Sequence, residues 1–422
     1  MRNKEKKAKP EKNGKHEKNW KDSIATVDDI QDFLMDRILL RYNVITGRVE
    51  YRIPSSYEHD STDWMPITDR VINSLWAEMS AKKTVRVVDM YRVIESDFVP
   101  DFHPFRFYLS RLPPWNGEDY ILSMSTSVNV KGDVREQMLF AEYLKKWLVA
   151  MVAAWVDDSV VNNVILVLIG EQGSYKTTWF NYLLPPELSR YFYTKTNASR
   201  MGRDELLTLA QYGLVCCEEL DTMRPSEMNQ LKAAVTMPSI DERAAYAHFH
   251  EHRKHIASFC GTGNNPQFLN DPTGNRRWLP FEIVNIMSPR DFPFEYEGIY
   301  AQAYALYRQG YRYWFSQEEI QRLSLHNSAF EAPQIETELV DVFFRKPKAG
   351  EAGEFMPVSR AMQIISGNIS QHVYATRIGQ AFTTMGFESR RTNHSRGYIV
   401  VQRDSEEIKT RLRMLASEDE PF

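Results

Sequence analysis

A glycine-containing loop that ends in a lysine and two threonines is the part of this sequence that most directly suggests chemistry. An apolar run at 164–169 leads into Gly170, Glu171, Gln172, Gly173, Ser174, Tyr175, Lys176, Thr177 and Thr178. Backbone N–H groups in such a loop, together with the positive end of the helix that follows it, point toward a bound anion. Lys176 would reach the β and γ phosphates of ATP, and Thr177 would offer its hydroxyl to Mg²⁺. The loop therefore predicts a nucleotide site.

Tyr175 departs from the usual pattern, which has glycine immediately before the lysine. A tyrosine lacks the backbone freedom of glycine, so the loop is compatible either with full ATP hydrolysis or with nucleotide binding and little turnover. An ordinary turn before a helix, with no ligand, is the third interpretation.

A pair of acids follows the next predicted core strand. The apolar run at 214–217 ends in Glu218 and Glu219. Burying a carboxylate without a partner is costly, so acids at a strand end are easier to explain if they bind something. In the expected chemistry Glu218 belongs to the Mg²⁺ shell, and Glu219 orients and polarises the attacking water. The alternative is that they cap the next helix.

A third predicted strand, at 256–260, leads to Asn264, and a turn at 270–275 leads to Arg276 and Arg277. Asn264 would sense the γ phosphate, although glycine and asparagine also favour simple turns. Consecutive guanidinium groups suit bidentate contacts with phosphate, although as an exposed pair they would have no function. The sequence thus predicts five catalytic residues, namely Lys176, Glu219, Asn264, Arg276 and Arg277.

Together, the segments 170–178, 214–221, 261–265 and 271–277 resemble the virulence-associated E family, whose members are P-loop ATPases similar to superfamily 3 helicases. The upstream segment at 102–109 and Trp115, Asn116 and Gly117 extend the resemblance to roughly residues 85–335. The resemblance implies an α/β fold with an AAA+ or superfamily 3 helicase-like P-loop core. It also implies a DNA helicase or replication-initiation ATPase of a prophage or mobile element.

The same resemblance implies a homo-oligomer, such as a hexameric ring, in which Arg276 or Arg277 reaches the nucleotide of a neighbouring subunit. Members of the family often occur beside or fused to a primase-polymerase module. No such module is evident in this sequence, so a separate primase is an expected partner.

Composition and periodicity predict the organisation around this core. Residues 1–22 are rich in lysine and predict a disordered basic tail, which would either contact DNA or serve only solubility. Apolar spacing of three and four residues dominates 27–99, with a β-like segment at 42–53. We predict a mostly helical domain at 23–137, the ATPase domain at 138–285, a helical lid or linker at 286–340 and a winged-helix-like domain at 341–422.

The winged-helix prediction depends on helical patterns at 358–366 and 375–385, followed by a hairpin built from 387–390 and 397–402. Basic side chains on the second helix and the hairpin would contact DNA phosphates; they are Arg377, Arg390, Arg391, His394 and Arg396. A protein-docking role for this domain is the alternative.

The net charge of −4 over 422 residues argues against a uniformly basic nucleic-acid binder. The 3 cysteines fall in predicted core strands, which favours buried thiols. No apolar run is long enough to span a membrane and no signal peptide is apparent, so we expect a cytoplasmic protein. Two alternatives from other classes stay open. One is a DNA-associated regulatory switch with little or no hydrolysis, and the other, less favoured, is a small-molecule phosphotransferase.

Overall fold

The computed structural model describes residues 24–54, 64–195, 203–242, 251–269, 275–332, 335–348, 350–369, 373–391 and 396–418. The basic tail predicted at 1–22, residues 270–274 and His394 lie outside this part of the chain. The chain divides into two compact units, residues 1–266 with 273–327 and residues 267–272 with 328–422.

The N-terminal part of the first unit combines helices with a small sheet. Helix α1 begins after Thr26, whose side chain forms a capping box with Asp29. The strands are in the order β3-β2-β1-β4, and β1 and β2 form an antiparallel hairpin that begins at Leu39, three residues before the β-like segment predicted at 42–53. The elements are α1 Val27–Arg37, β1 Leu39–Asn43, β2 Arg48–Arg52, β3 Met65–Pro66, α2 Asp69–Ser80, α3 Val87–Ile94 and β4 Asp101–Phe102. The predicted helices are present, but β3 and β4 were not foreseen.

A long helix connects this part to the central sheet. The elements are α4 Pro104–Ser110, α5 Tyr120–Ser125, β5 Val128–Val130 and α6 Val134–Val156. Helix α6 begins after Asp133, whose carboxylate accepts two N–H groups of the first turn. Its buried Trp147 donates an indole hydrogen bond to the carbonyl of Phe259 at 3.0 Å, which fixes the helix against the sheet.

The central sheet has the strand order β5-β12-β6-β11-β8-β7. Pairing is parallel from β12 to β7, and only β5 is antiparallel to its neighbour. Strands β6, β8 and β11 are buried throughout, as expected for parallel strands covered on both faces. The elements are β6 Ile165–Ile169, α7 Lys176–Asn181, β7 Phe192–Lys195, α8 Arg203–Gln211, β8 Leu214–Cys217, α9 Pro225–Val235, β9 Ser239–Glu242, β10 Glu251–Lys254, β11 Ser258–Gly263 and β12 Trp278–Ile286.

Two helices, α10 Tyr296–Arg308 and α11 Gln317–Asn327, complete the first unit. The buried Lys146 of α6 lies 3.2 Å from the carboxylate of Glu319 on α11. Burial alone would raise the pKa of Glu319, but hydrogen bonds from the Ser316 N–H and from Lys146 lower it to about 2. The ionised pair therefore anchors α11 to α6, on which the sheet also packs.

The second unit contains α12 Ile335–Phe343, β13 Phe344–Arg345, β14 Glu354–Pro357, α13 Val358–Ser366, α14 Ala375–Thr384, β15 Ser389–Arg391, β16 Arg396–Gln402 and α15 Ser405–Glu418. Strand β16 pairs antiparallel with β13, β14 and β15. The two predicted helices and the hairpin are confirmed, whereas α12, α15, β13 and β14 were missed. The chain is thus a mixed α/β protein. No helix in the described residues is both long enough and apolar enough to cross a bilayer.

Candidate functional site

The carboxyl ends of β6, β11 and β8 meet at one edge of the central sheet. In the parallel register, Gly263 lies opposite Ile169 and Gly261 lies opposite Cys217. The residues that follow each strand therefore emerge together, and the Gly170 N–H donates to the carbonyl of Gly263 at 3.2 Å. The loop at 170–178, the acid pair Glu218 and Glu219, and Asn264 all lie at this edge. Open parallel sheets usually bind ligands at this edge.

The loop reaches α7 through a left-handed residue. Tyr175 has φ 63° and ψ 14° and is the residue immediately before the helix, which begins at Lys176. Its side chain is 47% exposed. Holding a non-glycine residue in this conformation costs about 1–2 kcal/mol. Tyr175 thus adopts a backbone conformation that glycine would adopt more easily.

Lys176 is 7% exposed, and its ammonium group lies inside the loop. Its Nζ lies within hydrogen-bonding distance of the Gly170 carbonyl at 2.7 Å, the Glu171 carbonyl at 2.6 Å, the Ser174 Oγ at 3.3 Å and the Asn264 Oδ1 at 3.4 Å. Burial lowers the pKa of Lys176, and the negative charge of Asp221 opposes that shift. An anion in the loop would stabilise the charged form further.

Thr177 and Glu218 bring two hard oxygen donors together. The Thr177 hydroxyl donates to Glu218 Oε1 at 2.8 Å. Mg²⁺ is commonly bound through one or two protein oxygens, with water and phosphate completing the shell, and this pair fits that chemistry. Among the described side chains, no cluster of three or more histidine, cysteine, aspartate or glutamate residues forms a metal site.

Glu219 is exposed and has a positive φ of 54°. The Glu218 carboxylate accepts the Thr177 hydroxyl, whereas Glu219 is open to solvent. The arrangement is compatible with the two separate roles predicted for these acids.

Sequence reasoning assigned no role to Asp221, which the structure brings to the same edge. Its two carboxylate oxygens accept the backbone N–H groups of Asn264 at 3.2 Å and Asn265 at 3.1 Å. The only sequence signal was its position close after the acid pair, which does not reveal a partner so distant in the chain.

Arg276 and Arg277 lie at the opposite edge of the sheet. They form a short 3₁₀ helix with Asn275 immediately before β12, and Trp278 lies opposite Ile165 at the start of β6. At about 3.3 Å per residue, the length of β6 separates the two arginines from the start of the loop at 170–178 by roughly 13 Å. Asn327 of α11 donates to the carbonyls of Asn275 and Trp278, which holds this segment in place.

The predicted DNA-contacting cations of the second unit lie on α14 and on the hairpin. Arg391 lies directly opposite Arg396, and both are exposed. Arg390 pairs with Glu388 at 3.2 Å, and Arg377 lies 3.9 Å from the buried Glu336. His394 lies outside the described residues. Like charges placed directly opposite each other on neighbouring strands are destabilising without a counter-charge.

Comparison with known proteins gives one family match. Residues 109–332, more than half of the chain, match the family model described as the Virulence-associated protein E-like domain. No curated protein gives a significant match.

Several solved structures are similar to the chain. "The A form apo structure of NrS-1 C terminal region-CTR(305-718)" aligns with a TM-score of 0.48 and 14% identity, covering 88% of this chain and 98% of the other. "The apo structure of NrS-1 C terminal region (305-718)" gives 0.45 and 14%, with the same coverage. "The A form apo structure of NrS-1 C terminal region-CTR" gives 0.47 and 13%, covering 89% and 98%.

The conformation of Tyr175 gives a test of the loop. Tyr175→Gly should keep the affinity for a fluorescent ATP analogue within about threefold, because glycine adopts a positive φ freely. Tyr175→Val should weaken it about tenfold, because a β-branched residue resists the left-handed region. Tyr175→Phe is the control for the hydroxyl. Equal affinities for the glycine and valine variants would show that nucleotide binding does not need this backbone conformation.

Proposed function

We propose, from the premise that this chain belongs to the virulence-associated protein E-like family, that it is an ATP-hydrolysing protein acting on DNA. Its task would be that of a helicase or replication-initiation ATPase of a prophage or mobile element. The observation that carries the proposal is the buried Lys176 ammonium, which lies in the loop at the edge where Glu218 and Asn264 also emerge.

The strand order supports a P-loop ATPase core of the AAA+ or superfamily 3 helicase type. Strand β11 lies between β6, which leads into the loop, and β8, which leads to the acids. A residue at the end of β11 therefore lies between the residues proposed to bind phosphate and the residue proposed to orient water. Asn264 has that position, and its side chain already approaches Lys176.

In the proposed mechanism, the loop N–H groups and Lys176 bind the β and γ phosphates of ATP. Thr177 and Glu218 would hold Mg²⁺, which when bound neutralises phosphate charge. Glu219, which is exposed beside Glu218, would orient and polarise the attacking water. Asn264 would contact the γ phosphate, and this contact would be lost when phosphate leaves after hydrolysis.

We propose that Arg276 or Arg277 acts on the nucleotide of another subunit. Both residues lie immediately before β12, at the edge opposite the loop, so neither is suited to the nucleotide bound by its own chain. An oligomer in which one subunit's arginines meet the next subunit's loop would complete each site, and a hexameric ring is the expected form. Removing such an arginine from a phosphoryl-transfer site typically costs about 10³–10⁵ in turnover.

For the second unit we propose a winged-helix-like DNA-binding role. Helix α14 and the β15–β16 hairpin present Arg377, Arg390, Arg391 and Arg396, and the cross-strand Arg391–Arg396 pair favours a phosphate between or beside them. Contacts of this kind fix position on DNA without selecting sequence. A separate primase remains a proposed partner.

A regulatory switch that binds ATP with little hydrolysis is the second candidate. Tyr175 and Glu219 are the non-glycine residues with positive φ in the described chain, and both belong to the proposed nucleotide site. Backbone strain at such positions is compatible with a site that changes conformation when its ligand changes. DNA-stimulated turnover separates the motor from the switch.

Lys176→Ala should lower phosphate release from ATP and Mg²⁺ by at least about 100-fold, because it removes the cation that stabilises the developing charge. The assay should be run with and without single-stranded DNA, and DNA should stimulate the wild type. Lys145→Ala is the control, because Lys145 is a partly exposed lysine of α6 paired with Asp119. Unchanged release from Lys176→Ala would remove the loop from the mechanism.

Shared sites can be tested by mixing inactive subunits. Arg276→Ala/Arg277→Ala subunits keep the loop, and Lys176→Ala subunits keep the arginines. Mixtures should therefore regain part of the turnover that each variant lacks alone. Failure to regain activity at any ratio, with mixed oligomers verified by co-purification through an affinity tag on one variant, would contradict an arginine supplied by a neighbour.

The hairpin gives a separate DNA prediction. Arg391→Ala/Arg396→Ala should weaken duplex DNA binding and reduce the slope of log affinity against log salt by roughly 1.8, because each phosphate contact contributes about 0.9. Lys409→Ala on α15 removes an exposed cation elsewhere in the same unit and is the control. An unchanged slope in the double variant would favour the protein-docking alternative.

A further inference from the structure

Asp221 lies where the segment after β8 reaches the end of β11. It is the middle residue of the short 3₁₀ turn Leu220–Thr222, which follows the left-handed Glu219. The Asp221 carboxylate lies against the first residues beyond β11 rather than at the Thr177–Glu218 pair.

The Asp221 carboxylate holds the backbone at Asn264 with two hydrogen bonds. One oxygen accepts the N–H of Asn264 at 3.2 Å and the other accepts the N–H of Asn265 at 3.1 Å. Hydrogen bonds to an ionised acceptor are roughly twice as strong as neutral ones. Two such bonds to consecutive residues fix both the position and the direction of this turn.

Gly263 is part of the same arrangement. A Cβ at position 263 would lie 3.1 Å from Asp221 Oδ1, which is tighter than an ordinary contact. A side chain there would press on the carboxylate as it accepts the two N–H groups. Glycine therefore leaves the space that Asp221 needs.

The turn held by Asp221 carries the amide that reaches Lys176. Asn264 Oδ1 lies 3.4 Å from the Lys176 Nζ. Asp221 therefore holds the backbone segment whose side chain contacts Lys176.

We infer that Asp221 is a positioning residue of the proposed nucleotide site. It holds the Asn264 amide beside the position that the γ phosphate of ATP would occupy. The preference of the site for ATP over ADP then depends on Asp221 acting through Asn264. This inference rests on the proposed function. It differs from a metal-binding role, because both Asp221 oxygens already accept backbone N–H groups.

The test is a double-mutant cycle on nucleotide preference. Dissociation constants for a non-hydrolysable ATP analogue and for ADP are measured for the wild-type chain, Asp221→Asn, Asn264→Ala and the double variant. Each single change should lower the ATP-to-ADP preference about tenfold, as expected for losing a hydrogen bond to a charged group. The double variant should be no worse than Asn264→Ala alone, because Asp221 works through Asn264.

Glu227→Gln is the matched control. Glu227 accepts the Arg224 N–H at the start of α9. Glu227→Gln therefore removes one negative charge from the same stretch of chain, as Asp221→Asn does, but leaves the hydrogen bond to Asn264 in place. This variant should keep the wild-type preference. Full additivity in the cycle, or an unchanged preference in Asp221→Asn, would overturn the positioning role.

Amide hydrogen exchange adds a readout that does not depend on nucleotide. In Asp221→Asn, the amides of Asn264 and Asn265 should exchange faster while β11 stays protected. Loss of protection along all of β11 would instead indicate a general structural role and overturn the inference. Because only binding and exchange are measured, absence of hydrolysis does not affect the result. If the wild type bound neither nucleotide, the proposed function and this inference would both be wrong.

Discussion

Parallel hydrogen bonding among β6, β11 and β8 is the constraint on which the candidate site depends. The three strands end at one edge, so the loop, Asn264 and Glu218 meet although they are far apart in the chain. A register shift of one residue would move a strand end by about 3.3 Å and exchange the side chains on its two faces. Burial on both faces makes such a shift costly. The hydrogen bond from Trp147 of α6 to the Phe259 carbonyl also holds β11 in its observed register.

The sequence revealed the parts of this arrangement that are local. The loop before Lys176, the acids after β8 and the helical patterns of α13 and α14 each lie within a short stretch, and their loop or helix character follows from that stretch alone. Contacts between distant segments were harder to predict from the sequence. Asp221 was missed because its partners are backbone N–H groups beyond another strand. Almost every residue type has a backbone N–H, so the residue types at 264 and 265 do not indicate this contact.

Tyr175 and the C-terminal hairpin show two other limits. The sequence identified Tyr175 as a departure from glycine, but only the backbone shows that tyrosine adopts the left-handed conformation. The hairpin arginines were predicted, whereas the register that sets Arg391 opposite Arg396 depends on turn geometry that composition does not specify. Strands β13 and β14 were missed because they are short and pair with the distant β16.

The separation of Arg276 and Arg277 from Lys176 across the sheet has a consequence for symmetry. A contact in which one surface of a subunit meets a different surface of the next is heterologous, and repeating it produces either a closed ring or an open filament. If the arginines act on the next subunit's loop, as proposed, an open filament would leave the loop at one end and the arginines at the other facing solvent, so one site would stay incomplete. A closed ring would complete every proposed site. In that case, the parallel strands that separate the arginines from the loop would also favour a cyclic assembly.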